Sequence, residues 1–246
     1  MRTKIRLSVF VPVLVATSVF VTPLTSFAAG ADYKGYKAPA VMPCKNLSDG
    51  FYAGLAVGRD SYSVRRNTNL TFGGVTILGN PPLSATGWVG SIFAGYGQYF
   101  SNSFYLGGEL FVDDSNASES QGHSNSTATS TYNTKFTVGT GYGISILPGL
   151  KLNDSSLFYV RLGYNWASLK GTETMTVTGT GSTSASKSST QGGYNYGVGM
   201  ETVISNALSL RGEYTYTSYN SFTSSLGTKW SPSDYQFMLG LIYHFT

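Results

Sequence analysis

The chain contains one cysteine, Cys44, and two histidines, His123 and His244. A lone cysteine excludes an intrachain disulfide. Two distant imidazoles and one thiol argue against a metal centre, and no cofactor is expected. Charge is scarce, at 11% of residues, but 14% are aromatic, which argues against disorder. Beyond the N-terminus there is no second long apolar run, so no helix is expected to span a membrane. The net charge of +4 makes no case for nucleic acid, because three of the 16 Lys and Arg residues lie in the first six positions.

Those three, Arg2, Lys4 and Arg6, precede the apolar stretch 7–21, and Ser26-Phe27-Ala28 follows. A positive start, an apolar middle and small residues at the end make a secretory signal over 1–28. Cleavage is expected after Ala28, with Ala31 as a second site. The apolar run is shorter than the ~20 residues a spanning helix needs, which argues against an uncleaved anchor. No cysteine follows the signal directly, so a lipoprotein is not expected. Residues 29–49, with Pro39 and Pro43, read as an unstructured periplasmic leader.

What the mature chain does have is alternation. In 235–246 the side chains of Tyr235, Phe237, Leu239, Leu241, Tyr243 and Phe245 fall on one face of a strand. Gln236, Gly240 and His244 fall on the other, with Met238 and Ile242. Similar patterns recur over 51–64, 104–114, 131–146, 157–169, 192–204 and 208–219, and 87–100 is a further strand that the pattern does not orient. Apolar outside and polar inside suits a barrel in lipid. The fold class is therefore all-β, an eight-stranded antiparallel up-and-down transmembrane barrel over 50–246. A soluble sandwich is the alternative. Short connections follow the second, fourth and sixth strands, among them 147–156, where Pro148-Gly149 is expected to end a strand. Long ones occupy 65–86, 115–130, 170–191 and 220–234, which places them outside the cell and both termini in the periplasm. Residues 71–78 belong to an extracellular hairpin, since a ninth crossing would break the alternation.

Several pieces carry a family resemblance: Gly50-Phe51-Tyr52-Ala53-Gly54, Phe104-Tyr105-Leu106-Gly107-Gly108-Glu109, Tyr159-Val160-Arg161-Leu162-Gly163-Tyr164, Gly197-Val198-Gly199-Met200-Glu201 and Leu210-Arg211-Gly212-Glu213-Tyr214. In order and spacing they resemble the eight-stranded outer-membrane barrels of the opacity-protein and OmpA-like group, over about 50–246. The resemblance implies location in the Gram-negative outer membrane. It implies outer-membrane lipid, lipopolysaccharide and the barrel-assembly machinery as partners, with host surface molecules as further candidates. It also implies a C-terminal assembly signal, matched by Tyr243 and Phe245, although Thr246 follows and leaves the aromatic penultimate.

Inward-facing charges form the first candidate site: Glu109, Glu201 and Glu213 against Lys135, Arg161 and Arg211. In a narrow lumen such charges are expected to pair, as a structural network rather than a selectivity ring. The second candidate is the set of long-loop anchors Arg65, Arg66, Leu70, Phe72, Ile77 and Leu78, with Phe222, Leu226 and Trp230. Large apolar and Arg side chains supply most interface energy; the competing reading is that they extend the barrel wall as hairpins. Arg65 and Arg66, with Lys170 and Lys229, also suit lipopolysaccharide phosphates. An enzyme is not expected. His123 has Ser124, Ser126 and Glu119 nearby only because the loop is rich in such residues. The leading expectation is a structural, surface-exposed barrel with adhesion or host contact through its loops. A narrow passive pore comes second and a lipid A-modifying enzyme third.

Overall fold

The computed structural model describes residues 47–72, 75–79, 82–100, 103–124, 130–205, 207–224 and 227–245, with the side chains of 68–72, 75–79 and 123 left out. The signal, most of the leader and Cys44 lie outside the described residues. Among the described residues eleven strands follow one another: β1 (Gly50–Phe72), β2 (Val75–Gly79), β3 (Leu83–Phe100), β4 (Phe104–Ser115), β5 (Ser118–Ser124), β6 (Ser130–Asn153), β7 (Ser156–Val177), β8 (Gly181–Ser205), β9 (Leu208–Tyr219), β10 (Phe222–Thr223) and β11 (Lys229–His244). Eight of them, β1, β3, β4, β6, β7, β8, β9 and β11, form the wall, and β11 pairs with β1 to close the ring. Every pairing is antiparallel, from Tyr52↔His244 to Asn67↔Lys229 at the closure. Closure leaves no free edge around the ring, so the wall can sit in lipid with its backbone satisfied.

Alternation decides the two faces. Along β11, Phe237, Leu239, Leu241 and Tyr243 are exposed outward while Gln236, Met238 and Ile242 are buried. β3, which the sequence does not orient, sends Trp88, Ile92 and Tyr96 outward and Val89, Ser91 and Phe93 inward. Outward aromatic rings touch in a chain: Tyr142 stacks on Trp166, Trp166 meets Tyr164 and Tyr164 meets Tyr194. Amphipathic rings of this kind settle at headgroup level.

One expected face is wrong, and the reason is a single residue. β6 and β7 lose register between Val138 and Gly141, where Val138 pairs Leu169 but Gly141 pairs Ala167. A β-bulge adds one residue to one strand, and a one-residue slip sends each following side chain to the opposite face. Below the bulge Tyr142, Ile144 and Ile146 point outward; above it Phe136 and Val138 point inward. Lys135 therefore points outward and is exposed. It has no place in the lumen network.

Among the described residues, most of the long connections is strand. β1 and β2 continue as a hairpin, and β7 and β8 stay in register from Ser156↔Thr202 to Val177↔Gly181. Gly179, with φ 83°, turns this last hairpin in a conformation that side chains disfavour. Residues 71–78 fall in the β1–β2 hairpin, as expected. We call this end the crown and the short-turn end the base. The expected break at Pro148-Gly149 does not occur, since β6 runs on to Asn153. Pro148 keeps its place opposite Leu106 of β4, while neither Leu147 nor Pro148 has a partner in β7. The missing N–H thus leaves a local gap in one ladder rather than an end.

Three layers fill the interior. At the base Leu47, Tyr105, Leu147, Leu157, Tyr159 and Val203 cluster, so the last leader residues dock into the barrel. Leu47 donates its N–H to the Asp154 carbonyl at 3.0 Å, and Asp49 accepts from Tyr99 N–H at 2.6 Å. Mid-barrel, Tyr52, Phe93, Phe111 and Ile242 surround the charges. In the crown, Tyr62, Val64, Leu83, Phe136, Leu169, Phe222 and Trp230 belong to a separate apolar core.

Candidate functional site

Inward parity brings five of the six expected charges together, at mid-height in the lumen. Glu109 of β4 is 2% exposed. One of its carboxylate oxygens meets Arg161 of β7; the other accepts from Arg211 of β9 at 2.5 Å and from Tyr52 Oη at 3.1 Å. Arg211 continues to Glu201 at 3.2 Å, directly across the β8–β9 ladder. Arg161 Nε lies 2.9 Å from Glu213, which also accepts from Tyr159 Oη at 2.6 Å. Ser145 accepts from Arg161 at 3.1 Å.

The arginines are also framed by rings. Arg211 lies 4.7 Å from the Phe93 centroid and 5.4 Å from that of Tyr52, and Arg161 lies 5.1 Å from Phe111. A desolvated guanidinium over a ring gains up to ~2 kcal/mol. Two glycines make room for the phenols. A Cβ on Gly95 would fall 2.5 Å from Tyr52, and one on Gly199 would collide with Tyr159.

Sequence alone missed the phenols Tyr52 and Tyr159 as members of this network, although their parity with the inward charges was available. It also left His244 out. His244 Nε2 contacts Glu201 Oε1 at 2.7 Å and Ser209 Oγ at 3.2 Å. A base, an acid and a hydroxyl thus meet, but both contacts use one ring nitrogen. A hydrolytic relay needs the hydroxyl on one nitrogen and the carboxylate on the other. The cavity beside it, lined by Leu47, Val203 and His244 among others, holds about 10 Å³.

The cavity among Ser91, Phe111, Asp113, Arg161, Asn195 and Arg211 measures about 20 Å³, roughly the room of one water. Above it lies the crown core. Phe222 and Phe136 both stack on Trp230 at 6.0 Å between centroids. Glu173, fully buried, accepts from Tyr132 at 2.7 Å and from Ser224 at 2.6 Å, tying the β10 segment to β7.

Burial in that core corrects three of the expected loop anchors. Arg66, Phe222 and Trp230 are buried in the crown and present nothing to a partner. Arg66 donates to Gln121 at 2.5 Å and lies 5.9 Å from the Trp230 centroid. Burial lowers its guanidinium pKa from the ordinary value. Long strands at even spacing turn these alternate residues inward. Arg65 remains exposed. The side chains of Leu70, Phe72, Ile77, Leu78, Leu226, His123 and Ser126 lie outside the described residues. Lys135 and Lys170 are outward on neighbouring strands, Lys170 opposite Thr137 and Lys135 opposite Thr172. Tyr243 and Phe245 are both exposed on the outer face, 5.1 Å apart, and Phe245 N–H bonds the Phe51 carbonyl at 2.9 Å.

Among solved structures the chain is similar to Ail, the attachment invasion locus protein of Yersinia pestis, at 17% identity, with 80% of this chain and 100% of that one covered and a TM-score of 0.37. It is similar to Neisserial surface protein A at 14% identity, 80% and 97% coverage and a TM-score of 0.40. The outer membrane protease OmpT of Escherichia coli follows at 12% identity, 82% and 100% coverage and a TM-score of 0.47. Comparison with curated proteins finds no match. The model of the outer membrane protein beta-barrel domain matches residues 24–245. With that match running nearly the whole length of a closed ring, apolar outside and charge-paired within, the chain belongs to the outer membrane protein beta-barrel family and resides in the Gram-negative outer membrane.

Proposed function

We propose that this barrel is a closed structural element of the envelope whose crown makes contacts at the cell surface. The observation that carries the reading is the filled interior. Base cluster, charge network and crown core follow one another with about 20 Å³ of free volume at the centre. Solute transfer would have to break the Arg161 and Arg211 ion pairs and displace Trp230. What remains available is the outside of the crown, an ordered sheet rich in Ser and Thr. Adhesion to host or environmental surfaces is the use that such a display supports.

Two further contacts belong to the same reading. Lys135 and Lys170 sit diagonally on one outward face, roughly 7–8 Å apart by strand geometry. With Arg65 and Lys229 they suit lipopolysaccharide phosphates above the aromatic girdle. Tyr243 and Phe245 suit the barrel-assembly machinery.

The test pairs two measurements. Planar bilayers containing the purified protein should show no conductance steps; discrete steps would restore the passive pore. Replacing 66–82 and 221–229 by short Gly/Ser turns should leave a barrel that assembles but lowers cell adhesion. Unchanged adhesion with greater sensitivity to detergent would leave the envelope role alone standing.

A further inference from the structure

Six wall strands each send one oxygen-bearing side chain to the small cavity at mid-height. Ser91 of β3, Asp113 of β4, Asn165 of β7, Asn195 of β8, Thr215 of β9 and Gln236 of β11 border it. The other two strands make the room. β1 brings Ala56, and β6 brings Gly143, where a Cβ would fall 2.4 Å from Asn165 Oδ1. Spacing along the chain does not show this ring, because each member comes from a different strand.

Three of these oxygens are unpaired. Asp113 Oδ1, Asn165 Oδ1 and Asn195 Oδ1 are buried without a hydrogen-bond partner. The two asparagines are 8% and 5% exposed. Asn195 Nδ2 donates to Thr217 Oγ1 at 2.9 Å, which leaves its oxygen for the cavity. A buried acceptor without a donor is costly, and folded proteins keep few of them. Three around one cavity point to a ligand that oxygens hold.

Charge gives the sign of that ligand. Asp60, Asp113 and Asp234 point into the lumen together with Glu109, Glu201 and Glu213. Arg161 and Arg211 border the cavity as well, but the three glutamates already pair with them. No ion pair reaches the three aspartates among the described residues. An anion would find both arginines taken, whereas a cation finds acid in excess.

Donor type and size name the cation. Among the described residues no three Asp, Glu, His or Cys side chains converge on one point. A zinc-type site needs such a set. A hard ion that accepts one carboxylate beside amide oxygens fits instead. Calcium takes carboxylate and Asn or Gln carbonyl oxygens in flexible geometry. Magnesium keeps several waters, and a cavity of about 20 Å³ has room for one sphere of that size.

We propose that this ring is a calcium site, which ties β3, β4, β7, β8, β9 and β11 together around one ion inside the barrel. Asp113 supplies the charge, and Asn165 and Asn195 supply carbonyl oxygens. A single carboxylate sets the affinity in the weak class of extracellular calcium modules, about 10⁻⁴–10⁻³ M. The site stands apart from any surface contact by the crown.

The test refolds the full mature chain in uncharged detergent micelles free of lipid. Calcium, magnesium or a chelator is present from the start, since the site is enclosed. Equilibrium dialysis against radioactive calcium should find one ion per chain. With calcium at about ten times the dissociation constant, the unfolding constant in urea should fall about tenfold. Magnesium should change it little. Asp113→Asn keeps the shape but removes the charge, and should lose both the bound ion and the tenfold effect. Asn195→Asp adds a second carboxylate and should bind calcium more tightly, a readout that serves even if Asp113→Asn does not fold. Asp114→Asn, on the exposed outer face, should alter neither measurement. No bound ion, with equal urea midpoints in calcium and chelator, overturns the proposal and leaves a water as the occupant of the cavity. Binding that persists in Asp113→Asn, or that magnesium matches, places the ion on the surface and overturns it as well.

Discussion

Arg161 Nε faces Glu213 Oε1 at 2.9 Å, although their strands, β7 and β9, are not neighbours in the wall. The contact passes over the inner face of β8, the strand that lies between them. Both groups are almost fully buried, so their mutual attraction largely offsets desolvation rather than adding much stability. Losing one partner is another matter.

Arg161→Ala should destabilise the barrel by about 3–5 kcal/mol, because Glu109 and Glu213 are both left short of a cation. Glu213→Ala should cost a similar amount, since Tyr159 also loses its acceptor. The double variant should fall well short of the sum, by 0.5–3 kcal/mol as coupled neighbours do. Urea titration of the protein refolded in micelles measures all three. Strict additivity would mean that the two side chains do not meet.

The crossing of faces in β6 makes a labelling prediction. In a Cys44→Ser background, Lys135→Cys should react with a membrane-impermeant maleimide on intact cells. Phe136→Cys, fully buried beside Trp230, should stay unlabelled until the protein is denatured. The pattern without a bulge would be the reverse.

That strand shows where the sequence was legible and where it stopped. Alternation gave every other oriented face correctly, because lipid outside and a packed lumen inside enforce a period of two. Glu109, Arg161, Glu201, Arg211 and Glu213 follow from it. A bulge adds one residue without a distinctive side chain, and Val138-Gly139-Thr140-Gly141 reads equally well with or without it. Lys135 was misplaced for that reason alone. The crown was hidden differently. Ser and Thr carry little hydropathy, so 170–191 looked like a loop, yet β-branched and hydroxyl pairs hold it as a hairpin. Arg66, Phe222 and Trp230 looked like exposed anchors because the core that buries them exists only once those hairpins stand.

At the C-terminus, deleting Phe245 and Thr246 should impair insertion into the outer membrane far more than deleting Thr246 alone. Phe245 ends the outer aromatic stripe and ties its N–H to Phe51 at the ring closure. The fraction of protein in outer-membrane preparations that resists unfolding in SDS before boiling reads the effect. Equal fractions for the two truncations would remove Phe245 from the assembly signal.

The crown core predicts a graded failure rather than a global one. Trp230 is fully buried between Phe136 and Phe222. Truncating a buried Trp to Ala typically costs about 3–5 kcal/mol. The mid-barrel ion pairs and the base cluster do not touch Trp230, so the ring below should survive. Trp230→Ala should therefore keep its altered mobility on gels before boiling, while 221–229 becomes open to protease added outside intact cells. Conductance measured on the same variant separates the two things Trp230 could do. Continued silence means the Arg161 and Arg211 network closes the lumen unaided. Newly appearing steps would show that the crown, not the charge network, is the seal.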